Sequence, residues 1–170
     1  MNWIYRIIWA MFFFTAFHKG YASDQMFCDK GEYVILACPV DGVQGKRVEI
    51  CGGQSEEHPY IEYRFGTSRY PEMKYRITSD NHHVLYRGLY DGTYSVFFGF
   101  FNGEYSYIVE VPQEVAGARM NVVVRKGGKR LATVLCKKND WVEDKNVSSP
   151  LITDVDGEFL MEGKIAEQVK

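Results

Sequence analysis

Polar and apolar residues alternate with a period of two through most of the chain. In Tyr60-Ile61-Glu62-Tyr63-Arg64-Phe65 the side chains of Ile61, Tyr63 and Phe65 fall on one side and those of Glu62 and Arg64 on the other, which predicts a strand with one buried face. Residues 72–77 repeat the pattern, setting Met73, Tyr75 and Ile77 against Lys74 and Arg76. The loop 66–71 joins the two into a hairpin with one charged, solvated face. Asn102-Gly103 accepts the positive φ values of a type I′ turn and lies between two strand-like runs. The register predicted there sets Phe101 opposite Glu104, Phe100 opposite Tyr105, Phe98 opposite Tyr107 and Val96 opposite Val109, so that one face is a continuous aromatic and aliphatic stripe. The other face carries Phe97 and Ile108 among Gly99, Glu104, Ser106 and Glu110, the mixture of a partly covered surface. Gly127-Gly128 marks a second hairpin, pairing Val124 with Leu131, Val122 with Thr133 and Met120 with Leu135. Residues 33–38, 47–51 and 84–89 read as further strands.

About nine short strands, with turn signals every 8 to 12 residues or so, predict an all-β fold, either an antiparallel β-sandwich or a small β-barrel. The amphipathic helices that a βαβ arrangement needs are missing. The chain divides into residues 1–22, a β-domain over 23–138 and a peripheral C-terminal tail over 139–170, where the composition turns to Lys, Asp, Asn and Ser. In that tail Ile152 and Phe159-Leu160-Met161 are expected to add one edge strand, and residues 163–170 to fray.

Residues 1–22 change the picture of where the protein works. One early positive charge at Arg6, an apolar run over 7–17 and the small residues of Gly20-Tyr21-Ala22 form the pattern of a secretory signal peptide cleaved before Ser23. The run is shorter than the roughly 20 residues that a membrane-spanning helix requires, so no stable membrane insertion is expected. In an exported chain, Cys28, Cys38, Cys51 and Cys136 read as two disulfides. Three pairings are open. Cys38 with Cys51 is favoured, because Asp41-Gly42 and Gln44-Gly45 can fold the intervening segment back, which leaves Cys28 for Cys136. Spacings of 10, 13 and 85 residues do not form the close pairs of a zinc site. Without residues 1–22 the chain keeps 18 basic against 22 acidic side chains, a formal charge of −4, which gives no support to nucleic-acid binding.

The stretches Cys51-Gly52-Gly53, Tyr60-Ile61-Glu62-Tyr63-Arg64-Phe65-Gly66 and Pro71-Glu72-Met73, with Asn102-Gly103-Glu104-Tyr105-Ser106-Tyr107 and Gly127-Gly128-Lys129 leading to Cys136, resemble a group of small exported bacterial proteins of uncharacterised activity. The resemblance covers residues 28–138. It implies a periplasmic β-protein and carries no catalytic residue. Small periplasmic β-proteins of this kind include lysozyme inhibitors and immunity partners of secreted toxins, an analogy of fold and compartment.

Candidate chemistry is sparse. His82 and His83 are adjacent, so on a strand they point to opposite faces; with His58 and Asp80 they make a weak metal motif, and exposed turn residues are the simpler reading. Asp154-Val155-Asp156-Gly157-Glu158 fails the calcium-loop pattern, its glycine coming too early. No serine lies in a G-x-S-x-G elbow. Glu62 among Arg64, Lys74 and Arg76 has the makings of a general base, although such a group on a sheet is more simply a set of cross-strand ion pairs. Neither a catalytic residue, a metal site nor a cofactor is assigned. The expected role is a non-enzymatic protein-binding module, an inhibitor or immunity protein, with Glu56, Glu57, Tyr60 and Tyr70 as partner-binding residues, since tyrosine is enriched at interfaces. Tyr86, Tyr90 and Tyr94 belong to the same class of turn-associated aromatics. A carrier of small apolar ligands in a hollow barrel is the alternative, and a metal-assisted hydrolase a more distant one.

Overall fold

A computed structural model describes residues 28–53, 58–113, 117–137, 142–143 and 147–163. In chain order the elements are β1 (Glu32–Pro39), β2 (Arg47–Gly53), β3 (Tyr60–Gly66), β4 (Pro71–Thr78), β5 (Leu85–Tyr90), β6 (Ser95–Asn102), β7 (Tyr105–Pro112), β8 (Asn121–Lys126), β9 (Lys129–Leu135), β10 (Val142–Glu143), β11 (Ile152–Asp156) and a helix α1 (Gly157–Glu162). They form a five-stranded sheet, ordered β10-β1-β2-β3-β4, and a six-stranded sheet, ordered β11-β5-β6-β7-β8-β9. All pairs are antiparallel except β11 with β5, which is parallel. Of the two all-β architectures expected from the alternation, the sandwich is the one present, and every segment read as a strand between residues 33 and 135 is one.

The inner faces follow the period-two pattern. Ile61, Tyr63 and Ile77 from the first sheet meet Phe98, Phe100, Val109 and Val122 from the second, all buried in one core. Aromatic rings meet across the gap, Phe100 stacking on Tyr75 at 4.4 Å and Tyr63 tilting against it at 5.0 Å, centroid to centroid, while within its own sheet Phe100 stacks on its partner Tyr107 at 5.0 Å. The Tyr75 hydroxyl crosses to the other sheet and donates to the Phe101 carbonyl at 2.7 Å.

Both hairpins form where the turns are expected, but their registers differ from the expected ones, and in the second the shift also inverts the face of β9. At Asn102-Gly103 the observed partners are Asn102–Tyr105, Phe100–Tyr107, Phe98–Val109 and Val96–Val111, two residues from the expected register. The turn centres on Gly103-Glu104 with a positive φ at Gly103 only (59°), the requirement of a II′ turn. A slip of two preserves the faces, so Phe98 and Phe100 stay buried. At Gly127-Gly128 both glycines have positive φ (53° and 79°), and Lys126–Lys129 and Arg125–Arg130 pair as the turn dictates. A bulge between Val124 and Arg125 then shifts the register by one, giving Val124–Ala132 and Val122–Val134. That single step turns Val134 toward the core and leaves Leu131 and Leu135 exposed.

The disulfide pairing is also corrected. Cys28 joins Cys51 and Cys38 joins Cys136, with Cα separations of 5.5 and 5.4 Å. The 41–45 loop does fold β2 back onto β1, but Cys38 pairs in register with Val48 on the core face. Cys51, three residues beyond Val48, points to the opposite face, out of reach of Cys38. Cys38 instead ties β1 to the end of β9, where Val40 and Cys136 form a bridge between the sheets.

The tail is more than peripheral. Ile152 begins the expected edge strand, whereas Phe159-Leu160-Met161 is helical: the Asp156 carboxylate accepts the Glu158 N–H at 2.8 Å and Gly163, at φ 73°, closes the last turn. Leu160 is fully buried against Phe97 and Ile108 on the outer face of the second sheet. Val147 and Leu151 enter the main core. Residues 1–27 and 164–170, where a signal segment and a fraying end are expected, lie outside the described residues.

Candidate functional site

Among the described residues, a dense gathering of ionisable side chains lies on the outer face of the first sheet, the face expected to be solvated. The β2–β3 and β3–β4 registers place Cys51 beside Glu62 and Glu62 beside Arg76, with Glu49 beside Arg64 and Arg64 beside Lys74. Yet Glu62 and Arg64 are only 4% and 3% exposed. The Cys28–Cys51 disulfide fastens the segment entering β1 to this face, and with it comes Glu32. The Arg64 guanidinium donates to Glu32 Oε1 at 2.7 Å and Oε2 at 2.8 Å, and its Nε donates to Glu62 Oε1 at 2.5 Å. Asp29 Oδ2 lies 3.5 Å from the same guanidinium. Arg76 Nε donates to the other Glu62 oxygen at 2.7 Å. The Tyr60 hydroxyl donates to Glu32 Oε1 at 2.6 Å, and the Arg76 guanidinium stacks over the Tyr60 ring at 4.2 Å. Glycines make room for the rings: a Cβ on Gly53 would meet Tyr60 at 2.2 Å, and one on Gly52 would meet Tyr33 at 2.1 Å.

This network is closed electrostatically. Burial alone pushes Glu62 and Glu32 toward the neutral acid; the hydrogen bonds and charges of Arg64, joined by Arg76 at Glu62 and Tyr60 at Glu32, outweigh it and hold both below the ordinary carboxylate range. The bond to Glu32, then burial, raises the Tyr60 phenol. A general base works best with a pKa near the working pH. Glu62 has been moved the other way, and both its oxygens are already bonded to arginines.

Cys28, Glu32 and Cys51 bring two sulphurs and a carboxylate within 4.8 Å of one another, the arrangement among the described residues with the spacing of a metal site. Both sulphurs are joined in a disulfide, and Glu32 is engaged by Arg64 and Tyr60, so the donor set does not fit a cation. His82 and His83 are exposed in the turn after β4, and His83 stacks on Tyr75 at 4.8 Å. Asp154 pairs with Arg87, Oδ1 to Nε at 2.6 Å, while Asp156 caps α1. Both aspartates of the calcium-like stretch thus have structural partners.

Of the residues expected to bind a partner, the two that are described, Tyr60 and Tyr70, lie apart. Glu56 and Glu57 lie outside the described residues. Tyr60 is held in the ionic network. Tyr70, 71% exposed, sits in the turn after β3, whose seven residues set it about 20 Å from Tyr60 at the strand rise. Tyr86 and Tyr90 pack against the cluster around Leu160, and Tyr94 is exposed at φ 48°. Glu32 was not singled out from the sequence. The available signal was Cys51, a half-cystine on the same face as Glu62 and Arg64, which implies that something covers that face.

Neither family models, curated proteins nor solved structures yield a match to this chain. Its two disulfides fit an oxidising compartment, and none of the described helices is long and apolar enough to cross a membrane.

Proposed function

We propose that this chain is an exported, periplasmic, non-enzymatic binding module that acts by occupying another protein, as an inhibitor or immunity protein does with a cell-wall hydrolase or a secreted toxin. The observation that carries the reading is the state of the ionic network. The carboxylates best placed for acid–base work, Glu32 and Glu62, are each fastened to arginine and held ionised. A rigid sandwich with two disulfides and exposed apolar side chains at its edges is well suited to recognition without reorganisation.

The carrier reading draws less support. The space between the sheets is filled by the stacked rings of Tyr63, Tyr75, Phe100 and Tyr107, where a carrier needs room for its ligand. The test is affinity capture from periplasmic extract with the oxidised protein, followed by calorimetry with whatever is retained. A one-to-one complex is expected. Turnover of a substrate by the purified protein, abolished by one substitution, rejects the reading.

A further inference from the structure

The strand β9 ends the six-stranded sheet and is exposed at every position except Val134. Leu131 and Leu135 present 54% and 47% of their surface. One edge of β9 pairs with β8. The other is occupied at its C-terminal end, where Leu135 C=O accepts from the Asp41 N–H at 2.8 Å and the Lys137 N–H donates to Pro39 at 2.8 Å. In an antiparallel strand the N–H and C=O of one residue point the same way, and successive residues alternate. Leu135 and Lys137 therefore define the outward set. Cys136, whose N–H donates toward β8 to Met120 at 2.9 Å, confirms the alternation. Thr133 belongs to the outward set, and its backbone groups meet no partner among the described residues. An open strand edge beside exposed leucines is a template for strand addition.

Charge selects the occupant. Arg125, Lys126, Lys129 and Arg130 surround the Gly127-Gly128 turn, with Glu104, 3.8 Å from Lys126, and Glu162 beside them. This basic tip stands out in a chain of formal charge −2. A second copy fits poorly, since antiparallel self-pairing about Thr133 would need the edge at Leu135 and Lys137, which residues 39–41 already occupy. We infer that the outer edge of β9 is a docking strand for an extended segment of another protein that alternates apolar residues with carboxylates. The segment would extend the six-stranded sheet over the open part of the edge, residues 129–134, with its apolar side chains beside Leu131 and its carboxylates at Lys129 and Arg130. The inference rests on the protein-binding reading and names the surface it uses.

The test uses the oxidised, isotopically labelled protein and a capped peptide of alternating valine and glutamate, with the same peptide carrying lysine for glutamate as control. The acidic peptide should shift the amide resonances of residues 129–135, and Lys129→Glu with Arg130→Glu should weaken it by about tenfold. Thr133→Pro removes an outward N–H while leaving the β8 ladder intact, and should abolish binding. Should that variant fail to fold, the charge reversal of two exposed side chains decides. No acidic-peptide binding, equal binding of the lysine peptide, shifts confined to other strands, or indifference to the charge reversal overturns the assignment. A captured protein that still binds the charge-reversed variant also overturns it, while leaving the protein-binding reading standing. Failure of the parent to capture any protein tells against that broader reading instead.

Discussion

Replacing Arg64 with methionine keeps much of the buried stem and removes the guanidinium that bridges Glu32 and Glu62. Glu32 loses two hydrogen bonds of 2.7 and 2.8 Å and keeps Tyr60; Glu62 keeps Arg76. Breaking a buried ion pair from one side typically costs about 3 to 5 kcal/mol, because the remaining charge is left uncompensated. Retained partners at both carboxylates place the expected loss toward the lower end, about 3 kcal/mol at pH 7. That is a large share of a domain stability of about 5 to 15 kcal/mol, and it lowers Tm by about 10 °C for a domain of this size. The pH dependence gives a second reading. Both carboxylates have folded pKa values below the ordinary 4.5, so in the parent their contribution is complete above about pH 4.5 and is lost as pH falls through the lowered folded values. In the mutant, burial is less opposed and the carboxylates protonate at higher pH. The gap between parent and mutant should therefore narrow between pH 7 and pH 4. Urea unfolding of the oxidised proteins at both pH values, followed by circular dichroism, measures it. A loss below about 1 kcal/mol, the range of a solvated pair, or a gap that does not change with pH, refutes the reasoning.

Peptide mapping without reduction should recover Cys28 linked to Cys51 and Cys38 linked to Cys136, and Cys136→Ser, which opens a bridge spanning 98 residues, should lower the urea-derived stability by about 2 to 5 kcal/mol. Leu160→Ala deletes the buried anchor of α1 and should cost about 2 to 5 kcal/mol, with faster amide exchange over residues 157–163. Gly88→Ala should cost about 1 to 3 kcal/mol, read from the denaturant midpoint, because its Cβ would lie 2.8 Å from the Gly157 Cα and meet backbone that cannot swing aside.

The strands were legible because Ile61, Tyr63, Phe65 and their counterparts in β4 alternate with polar residues, and burial of one face enforces that period. What misled the reading was local chemistry that alternation does not encode. The bulge at Val124/Arg125 moves the register by one with no change in composition, and the II′ geometry at Gly103 moves it by two. The α1 segment contains three consecutive apolar residues that suit a strand, and it becomes helical because Asp156 and Gly163 cap its two ends. The site was the least legible part. Glu62 and Arg64 have the pattern of a wet sheet face, and only a distant element, the segment bearing Cys28 and Glu32, makes that face dry. Long-range pairing of this kind leaves no periodic trace.

The central claim, that the protein works by occupying another protein, is met most directly by titrating the activity of the captured partner against the oxidised domain. The account predicts that this activity falls linearly and ends at one molar equivalent, and that Lys129→Glu with Arg130→Glu moves the titration to higher concentrations. A partner whose activity is untouched at excess, or a domain that itself turns over a substrate and stops when a single residue is changed, contradicts it.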